Sequence, residues 1–102
     1  MKLITLLILA TAIVFFTGAA SASMAQVNIK DYKFQPSDIT IQKGDTVTWT
    51  NMDAMAHDVK FKDSDSPDLK KGETYSKTFA QSGTFDYICD IHPTMKGKVI
   101  VR

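Results

Sequence analysis

Cysteine is almost absent from this chain: 102 residues hold one, Cys89, with only two histidines and three prolines. One cysteine excludes an internal disulfide, so a small domain must draw its stability from elsewhere. It also excludes zinc-finger and c-type haem motifs, which need a second cysteine. Two histidines are too few for the several centres of a multicopper oxidase. Charge of one sign is missing as well: 12 basic residues face 11 acidic ones. No basic stripe is available for nucleic acid, and no nucleic-acid partner is expected. The sequence contains no internal repeat, no low-complexity tract and no 3.6-residue apolar stripe of helical length.

Only one long hydrophobic run is present, and it lies at the start. Met1-Lys2 is a short positive opening, and Leu3 to Phe16 is apolar except for Thr5 and Thr11. Small residues follow, from Gly18 to Ser23. This three-part layout reads as a secretory signal, with Ala20-Ser21-Ala22 as an A-x-A-like cleavage site and Ser23-Met24-Ala25 as a second. Cleavage is expected after Ala22 or Ala25, giving a signal peptide over 1–25 and one domain over 26–102. A run of about 14 residues is short for a membrane span, so no stable membrane insertion is expected after cleavage. The expected location is the periplasm or the outer face of the cytoplasmic membrane. Export limits what Cys89 can be: a free thiol, half of an intermolecular disulfide, or a thiolate held by a metal. The first is a liability in an oxidising compartment.

The remainder reads as short strands. Val27–Lys30, Ile39–Gln42 and Thr46–Asn51 alternate apolar and polar residues, with Gly44-Asp45 as a turn signal. Further strands are expected over His57–Phe61, Thr74–Phe79, Thr84–Cys89 and Gly97–Val101. The Ser, Asp, Pro and Gly content of Lys62–Glu73 marks a surface loop. Such a pattern predicts an all-β fold, an antiparallel sandwich or barrel. One strand fits poorly, because Lys77 interrupts the Tyr75/Phe79 stripe; an edge position or a bulge would accommodate it.

Within the last third, Cys89, His92 and Met95 recur at intervals of three. A thiolate, an imidazole and a thioether form a soft donor set, and His57 is the one histidine left to complete it. Two His, one Cys and a weak axial Met is the combination of blue-copper sites. Side chains two apart share a strand face. Phe85, Tyr87 and Cys89 therefore point one way, and His57 continues the stripe of Val59 and Phe61. Met95 has the parity of Val99 and Val101, and Asn51 ends the stripe of Val47 and Trp49. The candidate ligands thus extend core-facing stripes toward one end of the fold.

Two stretches carry a family resemblance: Asn51-Met52-Asp53-Ala54-Met55-Ala56-His57, and Gly83-Thr84-Phe85-Asp86-Tyr87-Ile88-Cys89-Asp90-Ile91-His92-Pro93-Thr94-Met95-Lys96-Gly97. The chain resembles the cupredoxins, and within them the amicyanin branch of the plastocyanin/pseudoazurin group, whose ligand loop is short as here. The resemblance covers about Val27 to Val101. It departs at Ala56, where Pro is usual, and at Thr94, where an aromatic is common. It implies a Greek-key β-sandwich holding one copper ion through His57, Cys89, His92 and Met95. It implies also that Asn51 stitches the His57 loop to the Cys89 loop by hydrogen bonds. The function expected is single-electron transfer by a monomer, with transient redox partners docking near His92 on an apolar patch of Met52, Ala54, Met55 and Pro93. Copper storage, delivery or sensing is the alternative. An enzyme is not expected: a Cys89/His57 hydrolase would need a cleft and an oxyanion-stabilising loop, and neither is legible.

Overall fold

A computed structural model describes residues 22–102. The expected signal peptide falls mainly on 1–21, outside the described residues. Eight strands follow in order: β1 (Met24–Lys30), β2 (Lys33–Gln35), β3 (Asp38–Ile41), β4 (Thr46–Asn51), β5 (Lys60–Phe61), β6 (Thr74–Thr78), β7 (Gly83–Ile88) and β8 (Lys96–Val101). They form two four-stranded sheets, β2-β1-β4-β6 and β3-β8-β7-β5. The sandwich expected from alternation is present. Its pairing is mixed, since β1 runs parallel to β4 and β3 parallel to β8, while the other neighbours are antiparallel. Both parallel pairs join strands far apart in sequence, as a crossover connection requires.

Period-2 burial explains why these segments are strands. In β4, Val47, Trp49 and Asn51 are buried while Thr46, Thr48 and Thr50 lie outward in part. Outward hydroxyls pair across the strands, Thr46 with Thr78 at 2.7 Å and Thr48 with Ser76 at 2.8 Å, the cross-strand contact that steadies an exposed sheet face. Trp49 is wholly buried, with the rings of Tyr87, Phe61 and Tyr75 at 5.4, 5.9 and 5.9 Å. Each such aromatic pair contributes about 0.5–1.5 kcal/mol beyond area burial.

Three strand expectations change. β1 begins at Met24, ahead of the domain boundary expected at Gln26. β2 was not legible because it is three residues long, following the two-residue turn Asp31-Tyr32. The His57–Phe61 strand shrinks to Lys60–Phe61, because His57 instead exchanges backbone bonds with Leu69, N to O at 3.1 Å and O to N at 2.7 Å. The loop Lys62–Glu73 therefore lends Leu69 and Ser66 to the interior. Ser66 Oγ accepts the Val59 N–H at 2.8 Å. Lys77 finds its place on the edge strand β6, its Nζ 5.4 Å from the Phe61 ring and 5.7 Å from that of Phe79. Its ammonium donates to Ser64 Oγ at 3.2 Å, and this position beside the two rings lets a charged residue sit on an otherwise apolar stripe.

Gly97 faces Tyr87 across β7 and β8, and a Cβ there would enter the Tyr87 ring. Gly97→Ala is therefore expected to destabilise the fold by about 1–3 kcal/mol, the usual cost of overpacking. Equilibrium urea unfolding measures it, and an unchanged midpoint would show that the ring has room to move.

Candidate metal centre

His57, Cys89 and His92 meet at one end of the sandwich. Cys89 follows β7 directly, so its side chain continues the inward face of Phe85 and Tyr87, and it is fully buried. His57 is held by its two bonds to Leu69 and is also fully buried. His92 lies in the turn between β7 and β8 and is half-buried. The Cys89 Sγ stands 3.7 Å from His57 Nδ1 and 3.9 Å from His92 Nδ1. All three donor atoms lie within 4.8 Å of one another. Separations of 3.7 and 3.9 Å would let one ion reach the sulfur and both nitrogens at the usual bond lengths of about 2.0 Å to nitrogen and about 2.3 Å to sulfur. The donor set fits a single soft-to-borderline metal ion, and its two imidazoles and one thiolate are the set that suits copper. Met95 is buried in the same turn. The turn closes by Met95 N to His92 O at 2.9 Å and Cys89 N to Met95 O at 3.1 Å.

Two of the donors, His57 and Cys89, are aimed by a partner. His57 Nε2–H donates to Asp53 Oδ2 at 2.9 Å, leaving the Nδ1 lone pair directed at the sulfur. Burial would raise the Asp53 pKa, but the Tyr32 and Asp31 amides and the His57 ring outweigh it and hold the carboxyl below the ordinary value. Burial pushes the Cys89 thiol up, while the amides of Asp58, His92 and Ile91 partly offset this. A cation bound there takes the place of the thiol proton. Asp58 was not singled out in the sequence, because alternation placed it outward; it is buried. Its N–H donates to Cys89 Sγ at 3.5 Å, and its Oδ1 accepts the Asp90 N–H at 2.6 Å.

Asn51 differs from its expected role. It is fully buried, as its parity indicated. Its Nδ2 donates to Met55 O at 2.9 Å and Leu69 O at 2.7 Å, and its Oδ1 accepts the Asp53 N–H at 2.9 Å. These bonds tie the His57 loop to the 62–73 loop and not to the Cys89 loop, because Asp58 occupies that junction. Tyr32 was also missed. It lies in the β1–β2 turn, where Asp31 and Tyr32 both take left-handed φ values of 54° and 57°. A tyrosine rarely adopts that conformation unaided. Asp53 stabilises it, accepting the Asp31 and Tyr32 amides at 2.8 and 3.0 Å. The Tyr32 ring then stands edge-on to His57 and His92, at 5.1 and 5.0 Å.

Two four-stranded sheets with a His/Cys/His cluster at one end, two of its members fully buried and His92 half-buried, define a small β-sandwich with a candidate metal site. A family model described as a cupredoxin-like domain matches residues 3–101, and the chain belongs to that family. Its relatives are of a narrower kind. It is 45% identical over 90 residues to amicyanin-alpha of Methylorubrum extorquens, covering 81% of this chain and 76% of that one. It is 33% identical over 84 residues to a plastocyanin of Scenedesmus fuscus, covering 68% and 86%. Among solved structures, an oxidised amicyanin variant superposes with a TM-score of 0.75 at 40% identity, covering 76% of this chain and 81% of that one. A Cu(I) form of another amicyanin variant gives 0.76 at 38% identity, covering 78% and 82%.

Asn51→Ala leaves the Met55 carbonyl and the Asp53 amide without their partner and takes one of two donors from the Leu69 carbonyl, which keeps the His57 N–H. A loss of about 1–3 kcal/mol is expected, the cost of orphaning a buried hydrogen-bonding group. Thermal unfolding checks it, and a Tm within error of the parent would remove Asn51 from the account.

Proposed function

We propose that the protein is a small exported blue-copper electron carrier in which His57, Cys89, His92 and Met95 hold one copper ion. The Cys89 Sγ flanked by two imidazole Nδ1 atoms at 3.7 and 3.9 Å carries this reading. Bound copper supplies the one-electron couple. The chain's own part is to keep the four side chains nearly fixed, so that little rearranges as charge changes. Both loops that bear donors are fastened from within: His57 by Leu69 and Asp53, Cys89 by Asp58 and Met95. The amides around the Cys89 sulfur and the Asp53 carboxylate behind His57 set the site's electrostatics.

His92, the half-buried member, is the route for electrons to the surface. Exposed apolar side chains lie on the loops that carry the donors: Met52, Met55, Ile91 and, on the turn beside them, Tyr32, with 46%, 53%, 43% and 46% of their surfaces exposed. Pro93 and Ala54 are exposed too. A patch of this size suits brief docking of a redox partner by a monomer. The reading as a carrier, not an enzyme, is supported by the amicyanins and plastocyanins that the chain is similar to. Cleavage of the signal places the carrier in the periplasm or at the outer face of the cytoplasmic membrane. Storage or delivery would favour one oxidation state, so reversible cycling without metal loss separates it from electron transfer.

Addition of Cu(II) to the processed protein is expected to give one equivalent bound and an intense visible band. Cys89→Ala abolishes the band, while Met95→Leu keeps it and raises the potential, since only the weak thioether donor would be lost. A colourless copper complex of the parent, or a coloured Cys89→Ala variant, would sink the assignment.

Asp53→Asn removes a negative charge hydrogen-bonded to a ligand ring. The charge favours the more positive oxidised site, so its loss is expected to raise the potential by tens of millivolts, on the scale where about 59 mV is tenfold for one electron. Voltammetry at pH 7 decides it; an unchanged or lowered potential contradicts the role given to Asp53.

A further inference from the structure

We infer that the export signal is cut between Ala22 and Ser23, and that the α-ammonium group this creates is the counter-charge of the buried Asp45 carboxylate. The inference rests on the export reading above and adds to it the choice of bond and the purpose of the new terminus. In the cut, water adds across the Ala22–Ser23 amide; the carboxylate leaves with the signal and the amine stays on Ser23.

Asp45 is 7% exposed, in the turn between β3 and β4. Its Oδ1 accepts the Ser23 N–H at 2.9 Å and its Oδ2 the Gln42 N–H at 2.9 Å. Its own backbone is paired as well, N to Gln42 O and O to Phe79 N, both at 3.0 Å. Among the described residues the one side-chain ion pair joins His57 and Asp53. Asp45 thus has hydrogen bonds but no side chain of opposite charge. A carboxylate removed from water is costly unless it is paired with a cation as well as hydrogen-bonded. The atom already nearest is the Ser23 nitrogen. Cleavage after Ala22 turns that nitrogen into –NH₃⁺ at charge-assisted hydrogen-bonding distance, with no movement of the chain.

The remaining contacts of this segment select the same bond. Ser23 O accepts the Thr46 N–H at 3.0 Å, so Ser23 is fastened at both ends. Met24 and Ala25 then form the first two of six pairs between β1 and β4, opposite Thr46 and Val47. Ala25 also packs on the core. A cut after Ala25 discards all of these. Signal peptidases act on the extended chain before folding and read small residues, which Ala20 and Ala22 supply. What the folded domain must retain and what the peptidase can read therefore coincide at Ala22–Ser23. The carboxyl itself is consistent with the arrangement. The Ser23 amide first, then that of Gln42, hold its pKa below the ordinary carboxylate value against burial. Its contribution is thus complete above that value and is lost as pH falls through the lowered one.

The full 102-residue chain, expressed in a Gram-negative host and recovered from the periplasm, tests the cleavage by intact mass and N-terminal sequencing. Ser-Met-Ala-Gln is the expected start. A product beginning at Gln26 overturns the inference and leaves export standing; an uncut chain beginning at Met1 overturns both. The counter-charge is tested with chains released from a fusion so that they begin at Ser23 or, one residue longer, at Ala22. The Ser23 chain is expected to melt at the higher temperature. Asp45→Asn should lower that temperature more in the Ser23 chain than in the Ala22 chain. Equal melting of the two parent chains, or equal losses on substitution, overturns the pairing.

Discussion

The spacing of the metal centre depends on Asp58. One residue after His57, it donates its amide to the Cys89 sulfur and accepts the Asp90 amide on its carboxylate. Two loops separated by some thirty positions are thereby fixed at one distance, and the 3.7 Å between His57 Nδ1 and Cys89 Sγ follows. A bond from a charged acceptor in a buried setting is among the stronger ones available. Apart from it, the Cys89 turn is tied to its own neighbour Met95 and, one residue earlier, through the Lys60–Ile88 pair of β5 and β7, to the strand that follows His57.

Around that clamp the rest is arranged in layers. Asn51 fastens the His57 loop to Leu69 and Met55, and Leu69 in turn pairs with His57. Asp53 bridges His57 and the β1–β2 turn, so the Tyr32 ring edge-on to both histidines depends on the same carboxylate that sets the His57 tautomer. Behind these lies the apolar core, with Trp49 and Tyr87 wholly or almost wholly buried. Close-packed interiors transmit strain and resist small shifts. An electron carrier needs that resistance, since every ångström its ligands move on charge transfer slows the exchange. Stability at one end of the sandwich and speed at the site are therefore the same physical property.

The two ends of the domain also serve different purposes. One gathers soft donors and exposed methionines on loops, where function concentrates. The other secures the entry into β1, where Ser23 and Asp45 begin the β1–β4 ladder. The strands between transmit no chemistry; they hold the two ends in register.

Much of this was legible in the sequence. Alternation named the buried faces of β4, β7 and β8, and the interval of three from Cys89 to His92 to Met95 named a donor loop. Both follow from local rules, a two-residue strand period and the few side chains able to bind a soft metal. Parity also placed Asn51 inside. What it could not give were partners. Asn51 bonds Leu69 and not the Cys89 loop, and Asp58 turns inward against its parity, because both depend on which loops the two sheets bring together. Tyr32 was unreadable for the same reason: its left-handed turn is stable only where Asp53 arrives from another loop. The sequence by itself determined which residues could bind and which faces were apolar, since those are properties of single side chains and near neighbours. Only the tertiary structure decided the distances between the two donor loops and the hydrogen bonds that join them, since Asp53 meets Tyr32 across 21 positions and Asp58 meets Cys89 across 31.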